Sequence, residues 1–219
     1  MKYDKVKYNR GKLNIVTQTM IYVEGKNNKI FYQQFKELQR VFIENGGNCN
    51  NIEAKVNLRP NSYGIIDRDY TDTNHAKLFS INFYSIENIS LIYIEALKEL
   101  REKIIKYVEE HGLDSTRISI PKLEINYGED NRVRDYNLQL TLKKHHDQYK
   151  DYIENAINCE QTFMRYKDLK KVIESYVYFA KNKYSTRINY ITDLVESLPC
   201  KSIEVIFDTN NLNRLKQVL

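Results

Sequence analysis

The chain has 219 residues, 42% hydrophobic and 29% charged, with a formal net charge of +5. That length is enough for one domain with a real core, or for one domain carrying a helical insertion. No run approaches the roughly 18 uninterrupted apolar residues of a membrane helix, so a helical membrane protein is excluded and no membrane partner is expected. The opening MKYDKVKYNRGKLNIV alternates polar and apolar residues, unlike a secretory signal, and a cytoplasmic protein is the expectation. Cys49, Cys159 and Cys200 are odd in number and form no CxxC pair, which supports neither a disulfide framework nor a zinc ribbon. His145 and His146 are adjacent and would diverge on a helix, a poor arrangement for holding one metal. The charge excess is local: residues 1–70 hold twelve Lys/Arg against seven Asp/Glu, and the remainder is balanced. A basic surround of this kind suits an anionic partner.

In chain order, Thr17–Val23 (TQTMIYV) reads as a strand closing on a turn at Glu24-Gly25. Residues 28–42 place Ile30, Phe31, Phe35, Leu38, Val41 and Phe42 at near-helical spacing. Asn45–Asn51 (NGGNCNN) predicts a loop, and Ile52–Leu58 a weak alternating strand. Tyr63–Ile66 (YGII) is an apolar run that stops at Asp67, as a buried central strand would. Leu78–Tyr84 predicts another strand, and Ile89–Glu110 a long amphipathic helix opened by Ser85-Ile86-Glu87-Asn88 and capped near Gly112. The pattern over residues 135–183 is again helical, and Ser202–Phe207 followed by Leu212–Leu219 predicts a last strand and helix. The fold expected is α/β, with a parallel-sheet core over residues 1–95 joined by 201–219, and a mostly helical region over 96–200 that would bind a partner or substrate.

Asp67 and Asp69 stand two apart at the end of an apolar strand. If strand geometry persists, both side chains lie on one face and Arg68 on the other. Glu24 ends an earlier strand, and in a parallel sheet the carboxyl ends of the strands form the ligand-binding edge. Gathered carboxylates repel and need a cation between them. Oxygen ligands select Mg²⁺ or Mn²⁺ over zinc. The alternative is an Asx turn at Asp67 and Asp69, with Glu24 a surface residue before a glycine turn.

Val23-Glu24-Gly25, Phe31-Tyr32, Gly64-Ile65-Ile66-Asp67-Arg68-Asp69-Tyr70 and Tyr84-Ser85-Ile86-Glu87-Asn88 together resemble, in order and spacing, the DUF4435 group of TOPRIM-like proteins. The resemblance covers residues 17–95 well and the rest loosely. That group is related to the TOPRIM domains of OLD-family nucleases and includes the nuclease subunit of the PARIS anti-phage system, which works with an ABC-type ATPase. The resemblance implies a Rossmann-like TOPRIM core and a Mg-dependent endonuclease acting on DNA or RNA, tRNA included, as a toxic defence effector under an ATPase partner. It assigns Glu24, Asp67 and Asp69 to catalysis and metal binding, with Glu87, the family's IEN glutamate, as a further metal ligand. Asn28 departs from the acidic residue that the family often carries four positions after the glutamate.

Lys26 and Arg68 flank the carboxylates and are candidates for substrate phosphate, with solvated surface charge as the alternative. Tyr70 as a covalent nucleophile and the basic runs Lys143–His146 and Lys167–Lys171 as nucleic-acid contacts are weaker candidates, because charge runs are usually solvated faces. No GxxxxGK[ST] loop is present, so any ATP control would come from a partner. The rival function is a TOPRIM-fold binding or regulatory module with a weak metal site, Asn28 being the lesion. The oligomeric state stays open, a homodimer included.

Overall fold

In the computed structural model, which describes residues 18–71, 73–141 and 149–219, the first regular element is strand β1, Met20–Glu24. Gly25, at φ +71°, turns the chain straight into helix α1, Gly25–Tyr32, a conformation that costs glycine little. Strand β2 (Phe42–Gly47), helix α2 (Cys49–Leu58), strand β3 (Ser62–Ile66) and the short strand β4 (Leu78–Ser80) complete a four-stranded parallel sheet of order β2-β1-β3-β4. Its register sets Ile21 opposite Ile43 and Tyr63, and Val23 opposite Asn45 and Ile65. β1 and β3 are therefore the central pair, ending side by side at Glu24 and Ile66.

Ile21, Val23 and Ile65 are fully buried, as are Phe31 and Phe35, whose rings meet edge-on at 5.1 Å. Tyr22, Ile52, Val56, Ile66 and Leu78 form a second cluster. Gly64 sits beneath it: a Cβ there would lie 2.5 Å from Ile52 and 2.6 Å from Leu78, so glycine lets α2 pack close to β3.

Four expectations need correction in this region. The helical pattern of residues 28–42 stops at Tyr32, because Phe35 is extended (ψ 131°); a 3₁₀ turn, Lys36–Leu38, follows, and Phe42 opens a strand. Residues 52–58 are helical, since the Asn48 side chain accepts a hydrogen bond from the Asn51 amide (3.0 Å) and caps a helix that buries Ile52 and Val56, one turn apart. The expected NGG loop is the end of β2. Residues 202–207 form a 3₁₀ turn, Ile203–Ile206, because the Ser202 hydroxyl accepts from the Glu204 amide. The chain then ends in the helix Thr209–Lys216, capped by Asp208. Arg214 holds that helix to the His75 and Leu78 carbonyls at 2.8 and 3.3 Å.

Residues divide by proximity into two units, one comprising residues 18–66, Thr73–Ser80 and Ser202–Leu219, and the other residues 67–71 and Ile81–Lys201. The second unit contains helices α3 (Ile86–Tyr93), α4 (Lys98–His111) and α5 (Leu113–Ile118), strands β5 (Ile120–Tyr127) and β6 (Val133–Thr141), and helices α6 (Lys150–Ala156), α7 (Glu160–Tyr166), α8 (Lys170–Tyr184) and α9 (Leu194–Ser197).

The long helix expected over 89–110 is broken at Ile94, whose ψ of 122° is extended. Arg101 stabilises the break by donating to the Leu91 and Ile92 carbonyls, freed at the helix end, at 2.7 and 2.6 Å. Gly112, at φ +77°, ends α4 as its position predicts. The helical expectation for 135–183 fails at its start: β5 and β6 form an antiparallel hairpin with Leu123 opposite Leu138 and Ile125 opposite Tyr136. The period-two pairs Tyr136/Leu138 fit this pleat. Among the described residues no helix is long and apolar enough to cross a membrane, and no disulfide joins the three cysteines.

Candidate functional site

Beyond Ile66 the strand does not continue. The Arg68 amide donates to the Phe83 carbonyl (3.3 Å) and the Asp69 amide to that of Tyr84 (3.2 Å), while the Thr71 amide closes a turn onto Arg68. Asp69 takes φ +46°, a left-handed conformation that Asp tolerates better than most residues. Two aspartates on one strand face are therefore not what brings the carboxylates together; the left-handed turn does. Their meeting point is the Lys170 ammonium, 3.3 Å from Asp67 Oδ2 and 3.5 Å from Asp69 Oδ1.

Lys170 is the first residue of α8 and is held there by a polar chain. Its amide donates to Asp168 Oδ1 (3.3 Å), and the Asp168 amide donates to the Tyr70 hydroxyl (2.9 Å). Fully buried Asn88 donates to the Met164 and Lys167 carbonyls at 2.7 and 2.8 Å and accepts from the Ser85 hydroxyl at 3.0 Å. In the IEN segment the asparagine is thus the clamp on the chain that leads to Lys170. The Tyr84 ring, with its centroid 5.2 Å from the ammonium, adds a cation–π contact.

Burial pushes the Asp67 carboxyl up to about 7; Lys170 pulls it back, and Glu87 and Asp69 push it further. For Lys170 burial acts to lower the value, but the charges of Asp67, Asp69 and Glu87 outweigh it and hold the ammonium above the ordinary lysine range. A desolvated acidic group and a retained cation are the arrangement that a polyanionic pocket requires. Burial, then Asp168 and Asp69, raise the Tyr84 phenol, and burial raises that of Tyr70. Tyr70 is a buried hydrogen-bonding group, which argues against a nucleophile.

Glu87, in the first turn of α3 and half-buried, does not cap that helix, whose N-cap is Ser85; its charge acts on Asp67 and Lys170. Arg68 is engaged elsewhere, donating to the Tyr152 hydroxyl at 2.5 Å and to Asn82 Oδ1 at 3.0 Å with its guanidinium 5.1 Å from the Tyr166 ring. Glu24 and Lys26 belong to the sheet unit: Glu24 ends β1, and Lys26 is exposed in the first turn of α1. Asn28 is buried in α1. The run Lys143–His146 lies outside the described residues.

The run Lys167–Lys171 splits three ways. Lys167 is fully buried, pushed down to about 7 by that burial, and donates to the Arg117 carbonyl at 2.5 Å. Lys170 joins the acidic pair, and Lys171 is exposed. Sequence reasoning placed Lys170 and Asp168 only within a weak nucleic-acid run and Asn88 only within the Tyr84–Asn88 block, and missed their roles around the acidic pair; the only signal was the need of a carboxylate pair for some cation.

Oxygen donors that converge on a point already favourable to positive charge fit a hard divalent cation in donor chemistry. Among the described residues no group of three or more His, Cys, Asp and Glu side chains is gathered to hold a metal ion, so the fit rests on the Asp67/Asp69 pair. No family model matches the chain, and no curated protein matches it.

Proposed function

We propose that the chain is a TOPRIM-like, metal-dependent nuclease that hydrolyses phosphodiester bonds of DNA or RNA, tRNA included. The observation that carries this reading is the convergence of Asp67 and Asp69 on a single cation position, immediately beyond a central parallel strand. Ligand sites in parallel α/β sheets lie at that end of the strands. Asp67 and Asp69 would hold Mg²⁺ or Mn²⁺, and Glu24 and Glu87 keep the ligand roles that the resemblance implies. A divalent cation there supplies an activated water and offsets phosphate charge. Lys170 provides a second positive group beside the acidic pair, placed to hold a non-bridging phosphate oxygen as charge develops. The effector role under an ABC-type ATPase partner belongs to the same proposal and rests on the resemblance.

One observation favours the rival reading, a regulatory module of the same fold: the Lys170 ammonium already contacts both carboxylates, which a site without a metal would need. Incubation of the purified chain, alone and with a candidate ABC-type ATPase, on labelled DNA and total tRNA in Mg²⁺, Mn²⁺ or EDTA separates the two. The nuclease reading expects metal-dependent cutting that falls at least about 100-fold in Asp67→Asn/Asp69→Asn and in Glu24→Gln, the loss expected when ion-assisted catalysis goes. Undiminished cutting by the paired variant would sink it, and a wild type that cuts nothing under any condition leaves the module.

A further inference from the structure

Hairpin β5–β6 and the last turns of α8 enclose a groove of about 530 Å³ in the second unit, lined by Tyr127, Arg132, Arg134, Tyr178, Asn182 and Lys183 among others. Tyr127 and Tyr178 are 54% and 51% exposed and line the same groove. Two half-exposed rings on the lining of one groove are an apolar surface left uncovered beside its cations. We infer that this groove binds single-stranded nucleic acid, with a base stacked on the tyrosines and phosphates held by Arg132, Arg134 and Lys183.

Charge complementarity carries the choice of ligand. The lining includes three cations and no carboxylate. Asp130 lies on the hairpin turn, 3.0 Å from Arg134 and 3.8 Å from Arg132, and steadies both guanidinium groups while leaving them 58% and 84% exposed. An anionic polymer fits such a lining, and one with accessible π faces also uses the tyrosines; duplexes hide those faces, whereas single strands present them. The Asn182 side-chain amide donates to the Tyr178 carbonyl at 2.7 Å, which leaves its carbonyl oxygen as an acceptor for a base edge. The groove and the acidic pair are fastened to one helix: α8 begins at Lys170 and reaches Asn182 twelve residues later, about 18 Å along its axis. A bound strand would thus be held at a set distance from Lys170.

The inference is independent of the metal reading, because stacking and phosphate contact need no divalent ion. It is tested by fluorescence anisotropy of the full chain with labelled 20-mers of dT and U in EDTA, against a duplex of equal length. The expectation is binding of both single strands, at least tenfold weaker binding of the duplex, and a loss of about 5- to 100-fold in Tyr127→Ala/Tyr178→Ala, the range for one stacked base. Tyr127→Phe/Tyr178→Phe should bind within about threefold of wild type, since the ring is what stacks, and Arg132→Ala/Arg134→Ala should weaken binding and flatten its salt dependence. Every arm is run in EDTA, without the divalent ion that the nuclease proposal needs, so failure here is separate from failure of that proposal. No binding by wild type, an alanine pair that binds normally, a phenylalanine pair as weak as the alanine pair, or stronger binding of polyglutamate than of either oligonucleotide would overturn the inference.

Discussion

The two units bury different chemistry. In the sheet unit the buried polar side chains among the described residues are Asn28, Ser62 and Ser80, set among Ile21, Val23, Phe31, Phe35, Ile65 and their neighbours. The second unit buries Asp67 and Lys167 as well as Asn88, and gathers the hydroxyls of Tyr136, Tyr176 and Tyr184 on Glu99 at 3.2, 3.3 and 3.5 Å. Apolar burial is indifferent to protonation, whereas desolvated ionisable groups make stability conditional on pH and on nearby charge. Perturbed groups concentrate where chemistry is done, and here they concentrate in the unit that carries the acidic pair.

That contrast can be broken most forcefully in the sheet unit. Phe31→Ala empties a fully buried ring position beside Tyr32 and Phe35 and should cost about 3–5 kcal/mol of stability. Urea unfolding at pH 6 and pH 9 should return the same loss; a loss that varies strongly between them would show that the sheet unit is also electrostatically poised.

Smaller is the expected effect of Lys170→Ala in metal-free protein, about 2 kcal/mol, below the cost of breaking a fully buried pair because Lys170 and Asp69 are 35% and 44% exposed. Adding Mg²⁺ should restore more stability to this variant than to wild type. Equal Mg²⁺ responses in thermal melts would remove the cation position from the argument.

Smallest, taken per pH unit, is a change of slope, about 1.4 kcal/mol for each proton taken up or released. Lys167 titrates near 7 when folded and near 10.5 as an ordinary lysine. Between those values the unfolded chain binds the proton and the native one does not, so stability rises with pH across that window, and the cost of burial is full below about 7. Asp67 acts oppositely: raised from 3.8 to about 7, it favours folding below the lower value and loses that contribution as pH climbs to the upper one. Metal-free wild type should contribute a trough near pH 7, with Lys167→Met removing its alkaline limb and Asp67→Asn its acid limb. Unchanged limbs in stability measured from pH 4 to 10 would contradict the burial of these two groups.

Local patterns were legible where local physics decides. The β-branched run before Glu24, the apolar YGII before Asp67 and the glycine after His111 each state their own element or its end, and β1 and β3 do form the centre of a parallel sheet. The alternation at 52–58 misled, because one capping hydrogen bond from Asn48 outweighs a weak period-two pattern. Over 135–141 the helical reading failed, because a strand there is declared only by its partner, β5.

Sequence by itself determined that two aspartates follow an apolar strand and that carboxylates so placed need a cation. Tertiary structure alone decided which cation, since Lys170 stands 101 residues after Asp69 in a run that reads as solvated charge. It also decided that Lys167, three positions earlier, is buried and Lys171 is not. The physical reason is that periodicity and capping are properties of neighbours along the chain. Desolvation and ion pairing are sums over everything packed around a group, and most of that packing comes from residues the sequence places far away.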